Sequence, residues 1–282
     1  FFCAVEVTAA ARLKGTPWVM EVRDLWPESI PAVGAMKPSR TLRVLEGVAR
    51  WLYRDAAAVV CVTQSFVAAI ARLGIDERKL AFVPNGIDAS FWQTNARDAE
   101  RQALGFAQDD VVASFVGTLG MAHGLGTVLD AASALRERQP RIKFLLVGDG
   151  ADAKALDDRI ARERLSNVVV TGLVARERVP GLLAASDLAL VTLKASPVFR
   201  TVLPSKMFEA MAMRRPIILG VEGEARALLD AAGAGIGIVP EDAEGLAASV
   251  RRLAADRAAG AAMGDSGRRY VEAHFDRSNL AV

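Results

Sequence analysis

Residues 203–218 read "LPSKMFEAMAMRRPII". Pro204 suits the entry of a helix, Ser205 carries a hydroxyl able to cap it, and Met207, Phe208, Ala210, Met211, Ala212 and Met213 are apolar nearly all round. This pattern predicts a short buried helix, after which "MRRPII" starts a buried strand near 216–219. Lys206 and Glu209 stand three apart, on one face and about 5–6 Å from each other. Either they form an exposed ion pair worth a few tenths of a kcal/mol, or they serve a ligand at the helix mouth. There, free N–H groups and the positive dipole end attract a phosphate; the ammonium would add charge, and the carboxylate could accept from two vicinal hydroxyls.

Outward from this helix, short β-rich runs alternate with longer helical patterns, which predicts parallel sheets covered by helices. Strands are expected near 18–22, 57–62 and 80–83 in the first part, with helices near 40–54 and 64–73. From Val111 onward the pattern fills out, with strands near 111–117, 142–148, 168–171, 187–191, 216–219 and 236–239, a complete doubly wound unit. The polar run "NARDAERQALGF" (95–106) reads as the linker, placing domains at 1–96 and 97–282. Two helices are expected over 243–257 and 259–275, the second able to cross back to the first domain.

Three strand ends on the long unit's sheet carry loop signals. "FVGTLGMAHG" (115–124) places Gly117, Gly120 and Gly124 where backbone can approach a ligand. "FLLVGDG" (144–150) repeats the form, with Asp149 orienting a ligand or making an Asx turn. "VVVTGLV" (168–174) could present the backbone of Leu173 and Val174 to a flat base. In the first part, "EVRDLWPESI" (21–30) sets Arg23, Asp24 and Glu28 around Trp26, either as a packed corner or as a substrate-facing loop, and Asn85-Gly86 marks a turn.

Composition narrows the classes. A net charge of +2 does not mark a nucleic-acid binder, and 52% hydrophobic with 24% charged residues is globular. Cys3 and Cys61 have neither disulfide nor metal spacing and read as reduced thiols; His123 and His274 are not spaced as metal ligands. There is no P-loop, zinc signature or Ser-His-Asp set.

In their order, "VPNGID", "FVGTLGMAHG", "LLVGDG", "VVVTGLV", "ASDLALVTL" and "LPSKMFEAMAMRRPII" resemble glycosyltransferase family 4, retaining nucleotide-sugar enzymes of the GT-B architecture. "RDLWPES" with "LPSKMFEAMA" is most similar to its branch of fucosamine-type and colanic-acid-type transferases of bacterial surface polysaccharide synthesis. The resemblance implies an α/β GT-B fold of two Rossmann-like domains, the N-terminal, acceptor-side one incomplete here. It assigns Glu209 to the ribose hydroxyls and Ser205 and Lys206 to the diphosphate, with Lys206 and Glu209 as the catalytic candidates. Gly117, Thr118, Gly120, Asp149, Leu173, Val174 and Thr201 complete the donor set, and Arg23, Asp24 and Glu28 face the acceptor.

Thr201 stands where the family's first glutamate is expected, and Thr118 and His123 where many relatives carry an arginine and a lysine. Lys206, with Arg200, is therefore expected to carry the diphosphate charge. The implied donor is a UDP-sugar, used without metal or cofactor, and the implied product is a hexosyl or N-acetylhexosaminyl transfer. The acceptor would be a saccharide or an undecaprenyl-type lipid-linked saccharide, and no nucleic acid is involved. Location would be cytoplasmic, at the inner face of the membrane, where "RTLRVLEGVARWLYR" (40–54) reads either as a basic amphipathic helix for a lipid surface or as a helix packed on its own sheet with solvated arginines. A nucleotide-sugar 2-epimerase of the same architecture and a non-catalytic nucleotide-binding chain are the alternatives.

Overall fold

A computed structural model describes residues 2–32, 39–88 and 90–280. The chain forms two compact units, one of residues 1–85 with 196–203, the other of 86–195 with 204–282. The expected boundary at 96/97 falls just ahead of the first long helix of the second unit, and residues 86–96 group with that unit.

The first unit runs α1 (Phe2–Lys14), β1 (Val19–Val22), α2 (Ser29–Ala32), α3 (Arg40–Asp55), β2 (Ala58–Cys61), α4 (Gln64–Arg72) and β3 (Leu80–Phe82). Its three strands pair in parallel in the order β1-β2-β3. Ser39 and Thr63 cap α3 and α4 by accepting from the N–H of Leu42 and Phe66. Leu42, Leu52 and Tyr53 of α3 are buried. The amphipathic helix expected at 40–54 thus spends most of its apolar face on its own sheet, leaving Val44 and Trp51 outside among Arg40, Arg43, Arg50 and Arg54.

The second unit runs α5 (Arg97–Ala103), β4 (Val111–Val116), α6 (Gly126–Leu135), β5 (Ile142–Val147), α7 (Ala153–Glu163), β6 (Val168–Val170), α8 (Val179–Ala185), β7 (Leu188–Thr192), α9 (Ser205–Ala212), β8 (Ile217–Gly220), α10 (Glu224–Ala232), β9 (Gly235–Gly237), α11 (Ala243–Ala255), α12 (Arg257–Phe275) and α13 (Arg277–Leu280). Six parallel strands lie in the order β6-β5-β4-β7-β8-β9. This is the doubly wound order, whose switch point falls between β4 and β7. Helices cover both faces, so β7 and β8 are buried along their whole length and read as unbroken apolar runs. Phe115, Leu129, Phe144, Leu190 and Ile218 belong to the core between sheet and helices.

The polar run read as a linker has a structural task. Arg101 of α5 is wholly buried and donates to the carbonyls of Ala185, Ala107 and Asp110. Asp187, at the start of β7, accepts from Arg97 at 2.7 Å, from Arg101 at 3.3 Å and from the N–H of Val112 at 2.8 Å. Removing that carboxylate would leave a buried guanidinium without its counter-charge. Asp187→Ala is therefore expected to cost about 3–5 kcal/mol in a denaturant titration, with α5 becoming sensitive to proteolysis.

Candidate functional site

At the C-terminal edge of the second unit's sheet, the three loops singled out by sequence come together through backbone. The N–H of Gly117 donates to Val147 at 2.9 Å, that of Leu119 to Asp149 at 2.9 Å, and that of Gly148 to Gly172 at 3.0 Å. Gly148 has φ +133°, and a Cβ there would sit 2.0 Å from the carbonyl oxygen of Gly117. Asp149 is exposed and accepts from the N–H of the next residue, Gly150, at 2.7 Å, rather than from the N–H two residues on that an Asx turn would use. Thr118 and Leu173 are exposed, while Gly120 and Val174 are partly buried.

Helix N-termini open onto this edge without side-chain caps. Neither α6 nor α9 has a capping hydrogen bond, in contrast to α11 and α12, capped by Asp242 and Asp256. The N-cap of α9 is Pro204; Ser205 is the first helical residue, so the expected Ser205 cap is not formed. Proline has no side-chain acceptor, and the first N–H groups of α9 are left for another partner.

Lys206 does not project from the helix mouth as a solvated point charge. Its Nζ is buried without a hydrogen-bond partner, 3.9 Å from the centre of the Phe115 ring and directly beneath Gly117, whose added Cβ would lie 3.2 Å from it. No ion pair joins it to Glu209 among the described residues, which removes the exposed-pair reading. Burial pushes the Lys206 pKa down from 10.5 to about 7, with Glu209 opposing the shift. Burial also raises the carboxyl of Glu209, against the pull of Lys206 and Arg176. His123 packs against Phe115 in a T-shaped arrangement with ring centroids 5.2 Å apart, and its Nδ1 lies 3.3 Å from the Thr192 carbonyl. Burial and then Lys206 lower His123 to about 4, so it is neutral near pH 7 and supplies no charge for a diphosphate.

The site thus gathers Gly117, Lys206 and Glu209, and adds two residues that sequence reasoning missed. Phe115 was hidden as an ordinary strand residue. Arg176, which also stacks on Phe91 at 5.1 Å, lies in a charged run without any motif. Thr201 belongs to the segment that groups with the first unit, and its hydroxyl is occupied by the Val198 carbonyl at 2.7 Å.

In the first unit, Arg23 donates to Asn85 at 3.0 Å, joining two of the predicted loops. Burial raises the carboxyl of Asp24, with Arg23 opposing. Burial and then Glu28 raise the hydroxyl of Tyr53. Arg23, Asp24 and Glu28 are thus near neighbours of Asn85 and Tyr53 at the end of β1. Among the described residues no group of His, Cys, Asp and Glu could hold a metal ion.

A doubly wound unit with three glycine turns, an uncapped helix and a buried lysine at one edge finds its counterpart among known proteins. Residues 96–270 match the glycosyl transferases group 1 family, and residues 4–86 match a glycosyl transferase 4-like domain. The chain belongs to glycosyl transferases group 1. It is 29% identical over 242 residues to a probable glycosyltransferase WbjE of Pseudomonas aeruginosa, covering 83% of this chain and 58% of that protein. It is 25% identical to the putative colanic acid biosynthesis glycosyl transferase WcaI of Escherichia coli, covering 89% and 63%. The chain therefore spans about three fifths of the length of these two relatives. The crystal structure of Anabaena Alr3699/HepE in complex with UDP and glucose superposes with a TM-score of 0.84 at 23% identity, covering 98% of this chain and 72% of that one. These likenesses establish the two Rossmann-like lobes of the GT-B fold and a kinship with bacterial surface-polysaccharide transferases.

Because the folded pKa of Lys206 lies below its unfolded value, the cost of burying its charge is fully present below pH 7 and fades as pH rises toward 10.5. Lys206→Met is expected to raise Tm at pH 6 by several degrees, at roughly 2–4 °C per kcal/mol, and by much less at pH 10. Differential scanning calorimetry at the two pH values checks it; a lower Tm at pH 6 would show that the amine has an internal partner.

Proposed function

We propose that the chain is the donor-binding and acceptor-side part of a retaining glycosyltransferase that uses a UDP-sugar in bacterial surface polysaccharide synthesis. The observation that carries this reading is the buried, unpartnered Nζ of Lys206 beneath the Gly117 turn at an uncapped helix start. A buried polar group without a partner costs of the order of 1–3 kcal/mol, and more when charged. A diphosphate at the head of α9 removes that cost by supplying the acceptor. Alr3699/HepE, of the same fold, has been crystallised with UDP-glucose, and WcaI of Escherichia coli is ascribed to colanic acid biosynthesis.

In the proposed reaction the anomeric C–O bond to the diphosphate breaks and its electron pair goes to the leaving group; the acceptor oxygen bonds to the anomeric carbon on the same face, and its proton passes to the departing diphosphate oxygen. Negative charge gathers on the departing oxygen, where preorganised donors act most strongly. Lys206 and the free N–H groups of α9 supply them. Glu209, a turn along, accepts from the ribose diol, and Arg176 helps to keep it ionised. Arg23, Asp24 and Glu28 are the proposed acceptor-side groups. We assign the acceptor to the saccharide class, carried on a lipid. The exposed arginines of α3 would then favour an anionic membrane surface.

UDP binding measured by titration calorimetry tests the donor site. Lys206→Met is expected to weaken binding, and to reduce turnover roughly 10²-fold in an enzyme that is active; unchanged affinity removes Lys206 from the site. Since the diphosphate restores the ammonium, UDP binding at pH 8 should take up most of a proton, and little at pH 6, as read from buffers of different ionisation enthalpy. For the membrane surface, flotation with anionic phospholipid vesicles should carry the protein, and the pair Arg43→Glu and Arg50→Glu should abolish it. Flotation unaffected by these changes would argue against α3 as the contact.

A further inference from the structure

At the opposite, N-terminal edge of the second unit's sheet lies a second cavity of about 240 Å³. It opens where β4, β7 and β8 begin and where α11 gives way to α12. Its floor is apolar, formed by Val111, Leu188, Pro216 and Leu253. Gly260 keeps α12 from filling it, since even an added Cβ there would lie 3.6 Å from Pro216. Three arginines line it: Arg214, Arg215 and Arg257.

The charges around this cavity do not balance. Of its two carboxylates, Asp187 is already held by Arg97, Arg101 and the Val112 N–H, and Asp265 is paired with Arg214 at 2.5 Å. Arg215 and Arg257 have no carboxylate partner among the described residues. Arg215 donates to the carbonyls of Met213 at 2.7 Å and Ser186 at 2.8 Å, and Arg257 to that of Asp109 at 2.8 Å. Carbonyls orient a guanidinium without neutralising it. Burial, and next the neighbouring Arg97, pull Arg215 down to about 10, against the opposing pull of Asp187.

We propose that this cavity binds a small phosphorylated metabolite no larger than a hexose monophosphate. Guanidinium forks match phosphate oxygens geometrically, and Arg is the side chain suited to such partly buried pairing. The volume falls short of the roughly 300–1,000 Å³ of a drug-sized pocket, which excludes a nucleotide-sugar, while the apolar floor leaves room for more than a bare phosphate. The site is separate from the donor crevice, because it lies at the other end of the strands. It also touches the machinery there: Arg214 follows Met213, the C-cap of α9, and its carbonyl lies against Gly264 of α12, where an added Cβ would be 2.1 Å away.

The test is titration calorimetry of the full chain with α-glucose 1-phosphate, inorganic phosphate and glucose. α-Glucose 1-phosphate should bind once per chain, more tightly than phosphate, and glucose should not bind. Arg257 is exposed, so Arg257→Gln is expected to fold and to weaken binding at least about tenfold, the loss of one charged hydrogen bond. Lys206→Met should leave it unchanged. Absence of binding, equal binding to the Arg257→Gln chain, or loss in Lys206→Met instead would each overturn the proposal; phosphate binding as tightly as the ester would remove the sugar from it.

Discussion

The C-terminal edge of the second unit's sheet depends on a contact between two pieces of backbone. The turn after β4 lies against the turn after β5 only because Gly148 has no Cβ to meet the Gly117 carbonyl. Once these touch, each strand end hydrogen-bonds the next through Val147, Asp149 and Gly172, and the crevice acquires a floor made of peptide groups. A floor of that kind can come close to a phosphate or a base in a way that a layer of side chains cannot.

The unit treats two buried cations in opposite ways. Arg101 is supplied with a carboxylate and three carbonyls from its own chain, and becomes a fastening for α5. Lys206 is given an aromatic ring and a glycine, and its Nζ is left without an acceptor. The first arrangement adds stability; the second removes some. Such a deficit is tolerable in a large parallel-sheet core and is the expected signature of a group whose partner arrives from outside. His123 fits the same pattern: desolvated and held by Thr192, it frames Phe115 as a neutral group and leaves Lys206 as the cation beside the Gly117 turn.

Several expectations needed the folded chain to be adjusted. Ser205 looked like a cap because its residue type favours that role, but the helix begins one residue earlier than a serine cap requires. The 95–106 run looked like a linker because it is polar, whereas Arg101 within it is wholly buried. The amphipathic helix at 40–54 was placed correctly, yet Leu42 and Tyr53 face the protein, since a basic helix covering a sheet and one lying on a lipid share the same periodicity.

The sequence by itself determined the alternation of strands and helices, the parallel sheets, the three glycine turns and the helix bearing Lys206 and Glu209. These follow from local rules of periodicity, turn chemistry and capping, which act over a few residues. Tertiary structure alone decided the strand order that makes β4 and β7 neighbours, the burial of the Lys206 amine against Phe115, the proximity of Arg176 to Glu209, and the gathering of Arg214, Arg215 and Arg257 around one cavity. Each of those depends on groups far apart in the chain being desolvated together, and the free energy of a charge is set by what surrounds it rather than by what precedes it.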